Sequence, residues 1–318
     1  MTRLPAAAGV PLMLIAGAAV ALQSRVNGVL AQEIGEGLRA GALAAVVSFG
    51  SGLAVISLVV FGLPAGRASS ARLREGLRQG RIRWPELLGG LSGAYFVASQ
   101  GIAVGVIGVA LFIVAFTAGQ SLGSLAVDHL GYGPGGRQHA SPARVVAAVF
   151  AVAGVLVKAF DQISTASVAV TVGLAALALG AGAAQALQHA LNGRVSAVGG
   201  PLVTTANNFA VGTLALLVFL AVSFGVDGRI DGLPASPELY LGGVFGITFI
   251  VIAAITVQQY GVLVLGLCMI AGQVVTAELV EILDPDVEVG VLGLVGGGLA
   301  VTGVLVALAL RPRDVTPR

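Results

Sequence analysis

The stretch ALQSRVNGVLA, residues 21–31, breaks an almost purely apolar run with Gln23, Arg25 and Asn27, and ALQHALNGRVSA, residues 186–197, repeats the phrase. An amide left unpaired in hydrocarbon costs on the order of several kcal/mol. A costly pattern that occurs twice marks both an internal repeat and an inward-facing stripe. Gln23 and Asn27 stand four residues apart, as do Gln188 and Asn192, so each pair shares one face of a helix.

The run around them is membrane sequence. Of 318 residues 57% are hydrophobic and 10% charged, with a mean hydropathy of +0.97. Soluble domains carry roughly a quarter of their residues as charge, so this chain lacks the polar surface to enclose its apolar residues. Apolar stretches of about 20 residues recur, the length a helix needs to cross a bilayer, and the alternating strands of an outer-membrane barrel do not appear. The expected fold is an all-α integral membrane protein. Forty-seven glycines suit close helix approach in lipid. A single cysteine, Cys268, excludes a disulfide framework and a Cys-based metal site. The N-terminus imitates a secretory signal, but its repeat counterpart is internal, so it is read as a first transmembrane helix.

Apolar runs between breakers predict ten spans, at about 10–31, 41–63, 85–105, 108–130, 143–160, 168–193, 203–225, 238–258, 261–283 and 289–310. The second half overlays the first. VSFGSG (47–52) falls on NNFAVG (207–212) and PELLGGLSGAYF (85–96) on PELYLGGVFGITF (237–249). A constant shift of 153 then carries Gly89, Gly93, Phe96, Gly108, Gly119 and Gln120 onto Gly242, Gly246, Phe249, Gly261, Gly272 and Gln273. The expected organisation is two five-helix repeats, 1–162 and 163–318, in one bundle.

Five is odd, so the second repeat enters the membrane from the opposite side. The loop after the second span holds Arg67, Arg72, Arg74, Arg78, Arg81 and Arg83 against Glu75, whereas its counterpart holds Arg229 between Asp227 and Asp231. Summed over the chain, 13 of the 17 Lys and Arg fall on one side. By the positive-inside rule that side, and both termini, are expected to be cytoplasmic. Inverted repeats about an in-plane pseudo-twofold axis are a common design of secondary transporters.

These features together resemble the drug/metabolite transporter superfamily, and within it the YdcZ-type family in tandem-duplicated form. The resemblance rests on LQSRVNGVLA, VSFGSG, PELLGG and AGQSLGSLAVDHLG (118–131), with LQHALNGR, NNFAVG, PELYLGG and AGQVVTAELVEIL (271–283) in the second copy. It implies a ten-helix exporter of small metabolites or drug-like molecules in the bacterial inner membrane. It also implies a central cavity lined by helices 1, 3, 4, 6, 8 and 9, and names no substrate. The alternative is a non-transporting accessory or sensor protein on the same bundle.

Candidate cavity residues are Gln23, Asn27, Gln188 and Asn192, either lining the cavity or joining helices, and Gln120 with Gln273, which the pseudo-twofold sets facing each other. Tyr95, Phe96 and Phe249 are candidate walls, with core packing as the ordinary role of such aromatics. Asn207 and Asn208 are expected to pack at a helix contact, and His189 to be a hydrogen-bonded core histidine. By helical rise, Arg25 lies roughly 9 Å and Glu278 about 7 Å from the outer ends of their spans. An ionisable residue within a span is a functional candidate by default, so an Arg25–Glu278 pair is a candidate outer gate, with a proton as candidate coupling ion. Arg194 and Asp128 are candidates for a matching inner pair. The Arg-rich segment 67–83 is expected to be a topology determinant, with a surface helix on anionic headgroups as the alternative. No catalytic constellation, phosphate loop, metal cluster or nucleotide domain is visible, so no enzyme activity, cofactor or nucleic-acid partner is expected. The partners are a small solute and the bilayer; a monomer is expected, with a dimer as the alternative.

Overall fold

The computed structural model describes residues 6–132, 167–283 and 290–309, with a few positions between 145 and 157. Besides the helical positions between 145 and 157, the described residues form α1 (Ala6–Ile34), α2 (Gly37–Gly62), α3 (Pro64–Arg78), α4 (Gly89–His129), α5 (Val168–Gly199), α6 (Pro201–Ser223), α7 (Gly242–Leu283) and α8 (Val291–Ala309). Seven stretches among the described residues are long and apolar enough to cross a membrane. The expected fifth span, 143–160, falls almost wholly outside the described residues, and the tenth coincides with α8.

The third and fourth expected spans are not separated by a loop. They form α4, broken at Gly108, whose φ of 72° and ψ of 163° lie outside the helical region. A positive φ of this kind suits only glycine without strain. The break folds the helix back on itself. Phe96 and Phe116 are twenty residues apart, about 30 Å along a straight helix, yet their ring centroids lie 4.5 Å apart. Phe112 completes this cluster, 6.2 Å from Phe96.

The eighth and ninth spans likewise run together as α7, and contacts with α1 show that it too doubles back. Gly246 lies against the Gln23 amide, while Met269 and Gln273 lie against Gly17. Gly246 and Met269 would be about 34 Å apart on a straight helix, whereas Gln23 and Gly17 are separated by only about 9 Å of α1.

Small residues set the closest approaches. Gly17 abuts the backbone of Met269 and Gln273, and Gly182 that of Phe116 and Gln120; Gly272 abuts Leu14, and Gly119 abuts Leu179. The offsets that carry Leu22 to Leu187 and Gly89 to Gly242 interchange the members of each pair, so the α1–α7 contact and the α5–α4 contact are copies. In the core Phe49 of α2 and Phe209 of α6, also equivalent, pack with their rings tilted by 41° and centroids 4.8 Å apart. Each ring seats on one glycine of each half: Phe209 on Gly52 and Gly246, Phe49 on Gly93 and Gly212.

Two groups of connections close opposite ends of α2. At one end Gly35–Glu36 (β1) pairs antiparallel with Gly228–Ile230 (β2), and Arg39 donates to the Val226 carbonyl at 2.9 Å. At the other end the basic segment folds as α3. Its buried Leu73 packs with Val195 and Val203, Ser69 donates to the Gly199 carbonyl, and Arg67, Arg74, Arg78, Arg81 and Arg83 stay exposed. Gly200, with φ of 93°, then turns α5 into α6, which opens on Pro201.

Candidate functional site

The polar residues of the spans converge in the interior as three hydrogen-bonded groups. In the first, α1 meets α4: the Asn27 amide donates to Gln100 Oε1 at 2.6 Å, and Gln100 Nε2 donates to Ser24 Oγ at 2.8 Å. All three side chains are buried. In the second, α5 meets α6. Gln188 donates to Asn208 Oδ1, and Asn208 Nδ2 donates to Asn192 Oδ1 at 2.5 Å. Gly242 leaves room for Asn27 and Ser48, and Gly89 leaves room for Asn192 and Asn208.

The two groups occupy equivalent places and are wired differently. The equivalent of Gln100 is Ala253, and the equivalent of Asn208 is Ser48. In the first half the bridging amide comes from α4, in the second from α6. Asn207, beside Asn208, donates instead to the Leu87 carbonyl at 2.8 Å and ties α6 to the turn that precedes α4.

The third group lies between them. Gln120 Nε2 is 3.1 Å from His189 Nε2, and the His189 ring meets Phe249 edge-on at 5.7 Å. A narrow cleft runs beside them, lined by His189, Asn192, Phe249, Ala253 and Leu265, with room for about one water molecule. Gln273, the equivalent of Gln120, is fully buried with neither amide atom hydrogen-bonded. Ser24, which stands where His189 stands in the other repeat, is taken by Gln100.

Of the other predicted residues, Gln23 is buried beside Gly246. Phe96 packs in the aromatic cluster of α4, whereas Phe249 lines the cleft. Tyr95 stands apart, exposed, with its hydroxyl donating to the Leu177 carbonyl at 3.2 Å. Arg194 pairs with Glu86 at 3.0 Å and donates to the Gly131 carbonyl, while the side chain of Asp128 lies outside the described residues. Arg25 and Glu278 are half-buried, the Glu278 carboxylate lying over Gly297 of α8.

Four polar residues escaped sequence reasoning. Gln100 and Ser24 are isolated amide and hydroxyl positions with no repeat partner of their kind. Gln185 is buried on α5 with both amide atoms unbonded. Glu281, 7% exposed, accepts from the Ala110 N–H at 2.7 Å. The break at Gly108 frees that N–H, and a carboxylate is favoured at a helix N-terminus. A signal for Glu281 was present: the shift of 153 carries Asp128 onto it. Among the described residues no group of three or more His, Cys, Asp or Glu is placed to hold a metal ion.

The comparisons with known proteins agree with this architecture. A chain of known crystal structure superposes over 94% of this chain and 97% of its own length, with a TM-score of 0.59 and 19% identity, which speaks to the fold alone. The search of curated proteins returned no match. The family model described as "Putative inner membrane exporter, YdcZ" matches twice, over residues 8–157 and 173–306, one match to each half. With seven membrane-length helical stretches and a polar interior, the chain is a multi-pass inner-membrane protein with a transporter's role, and it belongs to the YdcZ family of exporters, a family of transporters and not of enzymes.

Proposed function

We propose that the chain is a secondary carrier that exports small solutes by alternating access. Its halves, 1–162 and 163–318, act as two inverted five-helix repeats, with both termini and α3 cytoplasmic. The observation that carries this reading is the reciprocal centre. Phe49 and Phe209 pack against each other, and each seats on a glycine of the other repeat, Phe49 on Gly212 and Phe209 on Gly52. Equivalent residues touch one another only near a pseudo-twofold axis, and a bundle built this way has two exchangeable arrangements. Gln120 and Gln273 then face the shared interior from equivalent helices, together with the amides of α1 and α5.

The charges fit an outer gate. Gly17 sits against Met269 and Gln273, which sets Arg25, further along α1, about level with Glu278 on α7 if the two helices run parallel. In this reading the pair closes the outer end of the cavity, and a proton taken by Glu278 accompanies opening. At the inner end the ion pair Arg194–Glu86 closes the equivalent space.

The test is efflux. Proteoliposomes loaded with a labelled metabolite mixture are compared with protein-free vesicles, with solute loss followed by mass spectrometry. At least one solute is expected to leave faster in the presence of protein, and Gln120→Leu and Gln273→Leu to slow it while the protein stays folded and inserted. No protein-dependent loss of any solute would refute the carrier reading, and unchanged efflux in both variants would reduce Gln120 and Gln273 to packing residues.

A further inference from the structure

Three amide atoms in the interior of α4 and α5 have nothing to bond to. Gln185 is 1% exposed and Gln120 is 1% exposed. Both amide atoms of Gln185 and the Oε1 of Gln120 lack a hydrogen-bond partner. Their positions coincide. Gly182 rests against the backbone of Gln120, and His189 meets the Gln120 side chain. Gln185 follows Gly182 by three residues and precedes His189 by four, so it shares their face of α5 and points at the same interior. Phe249, edge-on to His189, supplies an apolar wall.

Such a group is costly as packing. A buried amide without a partner is destabilising, and apolar replacement of the same shape is neutral or better. A Leu at 185 would serve a passive core, and the equivalent position in the first repeat is Val20. The arrangement offers one donor, Gln185 Nε2, and two acceptors, Gln185 Oε1 and Gln120 Oε1. A carboxylate only accepts and an ammonium only donates, whereas a carboxamide does both. Nor is a charged ligand provided for: among the described residues the buried polar side chains are amides, hydroxyls and an imidazole, with Glu281 alone carrying a carboxylate, and that is engaged at Ala110.

We propose that Gln185 and Gln120, with the Phe249 ring beside them, form the recognition subsite for an uncharged carboxamide-type group (amide, lactam or urea) carried on an apolar body. The proposal rests on the carrier reading in one respect. The cleft beside them, lined by His189 and Phe249, has space for about one water molecule in this conformation, so entry of such a group needs the opening that alternating access provides.

The experiment uses three probes of similar size on the purified full chain in detergent: benzamide, benzoate and benzylamine, with binding read by saturation-transfer NMR and thermal shift. Benzamide is expected to bind at least about tenfold tighter than either charged probe, a difference of one decade in Kd. Gln185→Leu is expected to weaken benzamide by about tenfold while its own melting midpoint holds or rises. Equal binding of the three probes, or undiminished benzamide binding by Gln185→Leu, overturns the subsite. A fall in midpoint with unchanged benzamide binding identifies Gln185 as packing and also overturns it. Should the variant fail to fold, the ranking of the three probes on the native chain decides. Failure of the two proposals is distinguishable: benzamide binding by a protein that moves no solute removes the carrier and leaves the subsite. Efflux of solutes with no benzamide preference does the reverse.

Discussion

Gly182 is the position where one added methyl group tests the packing most directly. A Cβ built there would stand 2.7 Å from the Gln120 nitrogen and closer still to the Phe116 carbonyl oxygen, against an ordinary contact of 3.4 Å or more. Both neighbours are helix backbone and cannot swing aside, so α5 and α4 must separate by at least about 0.7 Å. A gap of that size forfeits roughly a quarter to a half of the dispersion well of each contact along the seam. Overpacking of this kind costs about 1–3 kcal/mol, and two rigid backbones place Gly182→Ala at the upper end, roughly 3 kcal/mol. In a chain of this length that lowers the melting midpoint by about 5 °C or more. The control lies on the same helix: a Cβ at Gly173 meets nothing within 4 Å, and replacing a mid-helix glycine by alanine gains about 0.5–1 kcal/mol in helix propensity. Thermal unfolding of the detergent-purified variants, followed by size-exclusion of the heated samples, reads both. Gly182→Ala melting at or above Gly173→Ala would refute the close-packed seam. Gly17, whose Cβ would lie 2.9 Å from the Gln273 nitrogen, should behave as Gly182 does.

Three further outcomes follow from the same geometry. With Cys268 replaced, single cysteines at Ser70 and Ser236 should be labelled from opposite faces of the membrane, and labelling from one face would remove the inverted-repeat reading. Arg25→Glu and Glu278→Arg should each lose transport and the double exchange recover it; equal loss in the double variant, or no loss in the single ones, would sink the gate. Asn208→Ala strands the amides of Gln188 and Asn192 and should cost about 1–3 kcal/mol in thermal or denaturant unfolding, so a variant as stable as the native protein would show that the α5–α6 network contributes nothing.

The class of protein, the positions of most spans and the duplication were legible in the residues, because apolar content and helical length are local sums that no distant contact alters. The burial of Gln23, Asn27, Gln188 and Asn192 was legible for a related reason: hydrocarbon forbids the lipid face to an unpaired amide whatever the fold. The identity of each partner was not. Gln100 rather than Ser48 bonds Asn27, and Asn208 rather than Ala253 joins Gln188 to Asn192. That choice depends on sub-ångström placement of helices remote in sequence, since hydrogen bonds weaken steeply with distance and angle. The apolar runs predict a break between the spans 85–105 and 108–130 but not its form, a single positive-φ glycine, Gly108, that reverses the helix; the Ala110 N–H it frees is what gives Glu281 its role. Sequence periodicity supplied the faces of the helices; only the tertiary structure, by bringing two chain-distant faces within hydrogen-bond reach, decided which polar groups are satisfied and which, like Gln185, are not.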